Sequence, residues 1–355
     1  AVRSEPWYRW HAYVHGYTAP VFLFAAGLSF GIATLPRWDK HLGATPTVRK
    51  RFERYGILLL IAYLLQIPRL DLGLLFGGAE PELLQRILKV DALQHIGISL
   101  VIAQALIPVC RTRRRFLWTI FGLLVASVSL GPAIWRLPVE DALHPFFAAY
   151  VNDHTGSIFP WSPWSGFIYG GILVAWALLE LRVNRSFADV TAVMAIVAGL
   201  LIYLGYLLDH IPAVHAFFGD HNFWKTGPPF FLWRLGVVLL VLACLGLVDV
   251  ALERSPRGRR LIHPLEILGQ ESLVLYVTHL MILYGSPLAK GLVRYQRRSL
   301  DLEGSLVAFA AVWVAVCAVG FLWVWLRGRH PGTFLWLKRG LWGLVVYYAV
   351  RATFF

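Results

Sequence analysis

Long apolar runs, separated by short polar segments, recur along almost the whole chain. A transmembrane helix needs roughly 20 mostly apolar residues, and backbone that faces lipid must satisfy its hydrogen bonds within the helix. Ten runs meet this requirement, at about 17–36, 55–76, 91–110, 116–135, 162–181, 187–208, 229–250, 268–286, 304–326 and 334–352. The pattern predicts an all-α polytopic bundle of about ten transmembrane helices, forming a single integral membrane domain over residues 1–355.

The composition supports the membrane interpretation. Of the 355 residues, 58% are hydrophobic and only 15% are charged, whereas soluble domains carry about 25% charged residues. This balance excludes a disordered or fibrous chain and argues against an ordinary soluble enzyme. The three cysteines, Cys110, Cys244 and Cys317, lie inside apolar runs, so a disulfide framework is not predicted.

The net charge of +13 would suggest nucleic acid in a soluble protein, but in a membrane protein it indicates basic loops facing an anionic leaflet. We therefore predict no nucleic-acid partner. Alternate loops hold the larger share of Lys and Arg, namely 37–54, 111–115, 182–185, 254–260 and 327–329. Counting these loops as cytoplasmic places residues 1–16 on the opposite side of a membrane, which we take to be the bacterial cytoplasmic membrane.

Small residues mark one face of two predicted helices. Gly27 and Gly31 are four residues apart in the first span, and Gly166, Gly170 and Gly171 lie together in the fifth. Small side chains let helix backbones approach closely inside a membrane. We interpret both faces as packing surfaces, and they also permit a homodimer.

Polar and ionisable residues inside predicted spans are few, and such residues are costly in lipid and frequently functional. We predict that they bind substrate: Asp91, Gln94, His95, Arg234, Glu271 and His279. Asp91, Gln94 and His95 share one helix face, because they are spaced i, i+3 and i+4. The competing interpretation is that each makes an interhelical hydrogen bond or ion pair that only holds the bundle together.

Histidines collect in the predicted outer loops, where three are preceded by aspartate: Asp153-His154, Asp209-His210 and Asp220-His221. They are interpreted either as solvated loop residues or as part of an outer cavity in which a histidine acts as base. The ligand spacing typical of a metal site is not seen, and we predict no metal.

Four segments, in order, resemble elements of the heparan-α-glucosaminide N-acetyltransferase family of membrane acyltransferases. They are residues 19–29 (APVFLFAAGLS), 90–100 (VDALQHIGISL), 159–166 (FPWSPWSG) and 268–279 (LGQESLVLYVTH). Each segment alone would be weak evidence, but the four together cover about residues 17–284.

The resemblance implies an eleven-helix fold, whose first helix would lie before Ala1. It further implies that acetyl-CoA on the cytosolic side supplies an acetyl group to an amino sugar on the other side, with a central histidine. Residues 7–12, WYRWHA, match the context of that histidine in the family. This makes His11 the catalytic candidate, and His15 is its rival.

The chemistry of these residue types fits acyl transfer. A neutral imidazole accepts a proton near neutral pH, and a positioned base contributes about 10²–10⁴-fold; a histidine can also carry an acyl group covalently. Acyl-CoA is strongly anionic, so basic residues in the inner loops are predicted contacts for its phosphates: Arg49, Lys50, Arg51, Arg54, Arg111 and Arg113. The alternative is that these residues only set the topology.

A second function class stays open. The chain also fits a non-catalytic integral subunit of a larger membrane complex, or a transporter-like protein that keeps the acyltransferase fold, because a fold does not determine a function. The partners expected under either hypothesis are membrane lipids, with a sugar or glycan acceptor for the enzyme.

Overall fold

The computed structural model describes residues 6–67, 81–218, 227–253, 256–286, 289–296 and 300–354. The chain divides into two compact units, residues 1–63 with 84–250 and residues 64–83 with 251–355. Helices dominate both units, so the all-α prediction is confirmed. The prediction of a single integral domain stays a prediction.

The first unit holds the helices that carry three of the four family-like segments. In chain order the helices from the start of the described chain are α1 (Pro6–His15), α2 (Thr18–Thr34), α3 (Pro46–Leu64), α4 (Pro81–Leu88), α5 (Ala92–Cys110), α6 (Arg113–Ser129), α7 (Gly131–Ile134), α8 (Pro145–Val151), α9 (Trp161–Asn184), α10 (Phe187–Asp209), α11 (Pro212–Phe218) and α12 (Pro228–Glu253). Short 3₁₀ segments occupy Leu35–His41 and Val139–Asp141.

The second unit contains the remaining helices and a very short hairpin. Its elements are α13 (Pro256–Gln270), α14 (Ser272–Tyr284), β1 (Gly285–Ser286), β2 (Ala289–Lys290), α15 (Leu292–Gln296), α16 (Leu302–Arg329) and α17 (Pro331–Phe354). The strands pair antiparallel, with Gly285 opposite Lys290.

Six helical stretches in the described ranges are long and apolar enough to cross a membrane: Tyr13–His41, Ala92–Cys110, Trp161–Asn184, Phe187–Asp209, Pro228–Leu252 and Leu302–Arg329. A seventh arises if Gly258–Gln270 and Ser272–Tyr284, which are bent by 72°, form one broken span. These helices confirm a polytopic membrane protein.

The remaining predicted spans differ from this set for local reasons. For the span at 55–76, α3 ends at Leu64, and residues 68–80 lie outside the described part of the chain. For the span at 116–135, α6 ends at Ser129, just before Gly131-Pro132, where proline lacks the N–H that a continuing helix needs. In α17, Lys338 and Arg339 interrupt the apolar run.

Side-chain caps set the beginnings of several helices. Asp91 caps α5, and its backbone amide donates to Gln94 Oε1 at 3.3 Å, which completes a capping box. Ser186 and Asp189 form the same motif at α10, and Asp301 caps α16 by accepting from the Gly304 amide at 2.8 Å. Each cap satisfies a backbone donor that the helix leaves unpaired.

The core of the first unit is organised around a close crossing of α2 and α9. A Cβ on Gly27 would meet backbone atoms of Ile168, and one on Gly171 would meet the Phe24 carbonyl and the Leu28 amide. The predicted small-residue faces therefore pack against each other within one chain. Large side chains such as Phe167 are fully buried beside this crossing.

Candidate functional site

Two of the family-like segments are joined by a set of hydrogen bonds in the first unit. The amide of Val90 donates to Ser157 Oγ at 2.9 Å, and the Val90 carbonyl accepts from the amides of Ile158 and Phe159. His95, which is 1% exposed, lies with Nδ1 3.0 Å from the Phe159 carbonyl. The segment before α9 is thus attached to the beginning of α5.

His95 has a partner at each ring nitrogen. A carbonyl oxygen only accepts hydrogen bonds, so Nδ1 carries the proton in this arrangement. Nε2 lies 3.4 Å from Ser99 Oγ, one turn further along α5. The position of His95 is therefore defined by contacts inside the bundle, and its assignment to substrate stays a prediction.

Gln94 and Asp91 also have structural partners. Gln94, 1% exposed, donates from Nε2 to the Ala62 carbonyl of α3 at 2.9 Å, while its Oε1 completes the cap of α5. Asp91 is half-buried and accepts from the Ala92 amide at 2.7 Å. Gln94 and His95 connect α5 to α3 and to the segment before α9, whereas Asp91 precedes the helix as its cap.

We expect His95→Phe to destabilise the fold by about 1–3 kcal/mol, because the buried Phe159 carbonyl and Ser99 hydroxyl lose their partner. The measurement is the melting temperature of the detergent-purified chain. His263→Ala, at an exposed position in α13, is the control and should melt like the wild type. Equal melting temperatures for all three proteins would contradict a structural role for His95.

A second group of polar and aromatic side chains surrounds Arg234 in α12. Arg234 is 7% exposed, and its guanidinium carbon lies 4.0 Å from the ring centroid of Phe230 and 5.5 Å from that of Tyr17. Such cation–π contacts are strongest where water is excluded. Trp233 Nε1 donates to the hydroxyls of Tyr17 and Tyr13 at 3.0 and 3.2 Å.

Aromatic contacts connect the two groups. Phe159, whose carbonyl faces His95, packs edge-on against Trp164 with ring centroids 4.8 Å apart, and Trp164 lies 6.3 Å from Phe230. The Trp164 Nε1 atom is buried without a hydrogen-bond partner among the described residues. We define the Arg234 site as Arg234 with Tyr17, Trp164, Phe230 and Trp233.

The sequence predicted Arg234 but not the aromatic members of this site. The available signals were the aromatic residues of 228–234, PPFFLWR, and of 159–164, FPWSPW. Aromatic residues near the start of a span are typical of interfacial anchors, so sequence alone does not assign them to a site. Only their packing shows that aromatic side chains surround a buried cation.

The two candidate catalytic histidines lie on the short helix α1, next to this site along the chain. His11 and His15 are both exposed, and their ring centroids are 6.0 Å apart, as expected for an i, i+4 pair. His15 is the last residue of α1 and stands in the sequence between Tyr13 and Tyr17, whose hydroxyls are 2.8 Å apart. The structure leaves both histidines accessible.

The predicted donor-binding residues fall into three environments. Arg51 is half-buried: Nη1 donates to Thr34 Oγ1 at 2.7 Å and to Gln104 Oε1 at 3.1 Å. Its guanidinium also lies 5.2 Å from the ring centroid of Phe30. Arg51 therefore joins α3 to α2 and α5.

Three other predicted residues of α3 are more exposed than Arg51. Arg49 pairs with Glu53 at 2.9 Å, and Lys50 and Arg54 are exposed. Pairs of this kind contribute little to stability. They remain available to an anionic ligand.

Arg111 and Arg113 lie at the turn between α5 and α6. Arg111 is exposed and has a φ of 61°, a conformation that is uncommon outside glycine. Its carbonyl accepts from Trp38 Nε1 at 3.3 Å. Arg113 opens α6 and lines a groove on the surface of the first unit.

We expect Arg51→Met to lower the stability of the chain by about 1–3 kcal/mol, since the buried Gln104 oxygen loses a charged donor. Arg49→Gln, which removes the same charge from an exposed pair, should change it by less than about 0.5 kcal/mol. Thermal melting of the two purified variants provides the comparison. Equal effects would show that Arg51 is not a structural link.

In the second unit, the predicted polar residues at the start of α14 and within it also have partners. Glu271 is 8% exposed, and its Oε1 lies 2.6 Å from Nη2 of Arg327 in α16. His279 Nδ1 lies 3.3 Å from the Leu275 carbonyl, one turn earlier in α14. The ion pair attaches the beginning of α14 to the end of α16, and the predicted substrate role of Glu271 and His279 stays a prediction.

In the outer loops, two histidines contact acidic residues that are not adjacent to them in the sequence. His154 Nδ1 lies 2.9 Å from Glu140 Oε1, and the amide of Glu140 together with His154 lowers the pKa of the Glu140 carboxyl. His215, not His210, lies beside Asp209, at 3.7 Å from its Oδ1. The pair at 220–221 lies outside the described residues. Within the described ranges, we find no cluster of three metal-ligating side chains.

Comparison with known proteins gives one family. A family model of the catalytic region of heparan-alpha-glucosaminide N-acetyltransferase matches residues 2–211, which is more than half of the 355 residues. The match includes the segments 19–29, 90–100 and 159–166. No curated protein and no solved structure matches the chain.

Proposed function

Because the chain belongs to the heparan-α-glucosaminide N-acetyltransferase family, we propose that it transfers an acetyl group from acetyl-CoA to a sugar, glycan or lipid-linked acceptor across the membrane. The family membership itself gives the general type of activity, that of a membrane acetyltransferase. The donor, the acceptor and the direction of transfer are the proposal.

The observation that supports the proposal is that the matched segments lie together in the first unit. The segment 19–29 crosses α9 at Gly27, and the segments 90–100 and 159–166 are joined through Val90 and His95. A catalytic site has to be held rigidly by its surroundings. This arrangement gives the first unit such a framework.

For the donor, we propose that the basic residues next to the 35–41 segment bind the phosphates of acetyl-CoA. Arg49, Lys50, Arg54 and Arg111 are exposed there, and Arg51 lies behind them. Guanidinium groups bind phosphate oxygens through parallel hydrogen bonds. We propose that the donor binds on the cytoplasmic side and that residues 1–16 lie on the opposite side of a bacterial cytoplasmic membrane; the exposed cations support this sidedness.

For the acceptor, we propose the Arg234 site and the adjoining end of α1. Tyr17 and Trp233, both half-buried, have aromatic faces and polar edges suited to a sugar ring. Arg234 supplies a cation for an anionic or hydroxyl-rich group. His11 and His15 lie on the helix that leads directly into Tyr17.

The transfer needs a base at the acceptor. The acceptor amine attacks the thioester carbonyl, an imidazole takes the proton from that amine, and the CoA thiolate leaves and is protonated to the thiol. Alternatively, the imidazole first takes the acetyl group, releasing CoA, and then passes it to the amine. Both routes produce one N-acetyl group and one free CoA.

The test uses the purified chain in lipid vesicles with radiolabelled acetyl-CoA and a panel of amino sugars. We expect label to move to at least one acceptor in proportion to the amount of protein. Failure of transfer to every acceptor, together with failure to bind acetyl-CoA by calorimetry, would overturn the proposal. That result would favour the non-catalytic subunit, whose stable co-purification with a larger complex is then the next measurement.

A further inference from the structure

A groove on the surface of the first unit is not used by the proposed reaction. It has a volume of about 1040 Å³ and lies between α6, α9 and the beginning of the 35–41 segment. Its walls are apolar except for Arg113, Arg114 and Glu180. Trp118 is 64% exposed and Trp176 is 43% exposed along it. Such large exposed apolar side chains indicate a binding surface or contact with lipid.

The cations of the groove stand at the first turn of α6. Arg113 and Arg114 are its first two residues, where the helix dipole adds partial positive charge. Glu180, in α9, is the carboxylate that lines the groove. The first turn of α6 thus gives the groove two cations, Glu180 gives it one anion, and the other lining residues are apolar.

A smaller groove of about 600 Å³ continues on the other side of the same turn. Arg114 and Trp118 line both grooves, and Arg115, Cys110 and Val109 line the smaller one. Three consecutive arginines, Arg113 to Arg115, thus stand where two surface grooves adjoin, an arrangement that suits an anionic group.

Acetyl-CoA fits this surface poorly. Its adenosine and phosphates need hydrogen-bond partners along their whole length, whereas the groove offers apolar walls and polar groups at Arg113, Arg114 and Glu180. An acyl chain, by contrast, needs apolar walls and no hydrogen-bond partners. Charge and lining together select an anionic phospholipid.

We propose that this chain binds an anionic phospholipid, with the phosphate at Arg113 and Arg114 and an acyl chain in the groove between α6 and α9. Basic residues at a membrane surface attract anionic lipid. The apolar walls hold the chain against the protein. The proposal assigns Arg113 to the lipid and not to the CoA phosphates, and it does not depend on the proposed acetyl transfer.

The test is native mass spectrometry of the full chain released from nanodiscs that contain equal amounts of phosphatidylglycerol and phosphatidylcholine. The wild type is expected to retain phosphatidylglycerol preferentially. The double variant R113Q/R114Q should lose that preference by about tenfold or more. Ala177→Phe, which places a ring in the groove, should reduce the retention of both lipids.

The matched control is R259Q/R260Q, which removes two exposed charges from α13 of the second unit and should keep the preference. Lipid retention by R113Q/R114Q equal to that of the control would overturn the proposal. So would displacement of the lipid by added acetyl-CoA, because the groove would then be the donor site. If R113Q/R114Q fails to fold, the Ala177→Phe result decides alone, and unchanged retention would reject the site.

Discussion

Alanine at His15, or at His11, is expected to lower acetyl transfer by about 10²–10⁴-fold, the contribution of a positioned general base. Both side chains are exposed on one face of α1, so neither substitution removes a buried contact. The loss should therefore appear in the rate of transfer and leave the melting temperature unchanged. The measurement is the initial rate of label transfer from acetyl-CoA by each single variant.

The same assay distinguishes the roles of His11 and His15. If one imidazole carries the reaction, its alanine variant loses the activity while the other keeps most of it. His210→Ala is the control, because His210 is an exposed histidine whose Nδ1 contacts the Tyr206 carbonyl at 2.8 Å. Transfer rates within tenfold of the wild type for both His11→Ala and His15→Ala would exclude a catalytic histidine on α1.

Replacement of Gly171 by leucine is expected to prevent folding of the first unit. A Cβ at this position would collide with the Phe24 carbonyl and the Leu28 amide, which are backbone atoms of α2. Overpacking usually costs about 1–3 kcal/mol, and here the cost should reach the upper end or exceed it, because a helix backbone cannot rotate aside as a side chain can. Gly27 lies on α2, the other helix of the crossing, and Gly27→Leu should likewise prevent folding.

The measurement is the amount of monodisperse protein extracted from the membrane by mild detergent, followed by its melting temperature. Gly199→Leu in α10 is the matched control, since a Cβ there meets nothing within 4 Å. It should express like the wild type. Normal yield and melting for Gly171→Leu would show that α2 and α9 are further apart than the structure places them.

Much of the local architecture follows from the sequence. The apolar runs predicted the helices, and Gly27 and Gly171 predicted close packing surfaces. These features depend on residues within about one helical turn, or on a periodicity that repeats along one helix. Such short-range rules are readable without knowing which helices are neighbours.

Contacts between particular side chains on different elements could not be predicted in this way. Asp153 and His154 are adjacent, yet His154 contacts Glu140; of the basic residues in α3, Arg51 turns inward and Arg49 outward. Residues that were chosen as candidates by their type thus fall into two classes in the structure. Some are buried and join helices to one another, and others are exposed.

The sequence by itself determined that the chain is a polytopic helical membrane protein of this acetyltransferase family, because hydrophobicity and local motifs are properties of contiguous residues. Only the tertiary structure decided that His95 bonds to Phe159 and that Arg234 lies against Phe230 and Tyr17. The reason is physical: a buried polar group must find its partner wherever packing provides one. That partner is chosen by helix packing, not by sequence distance.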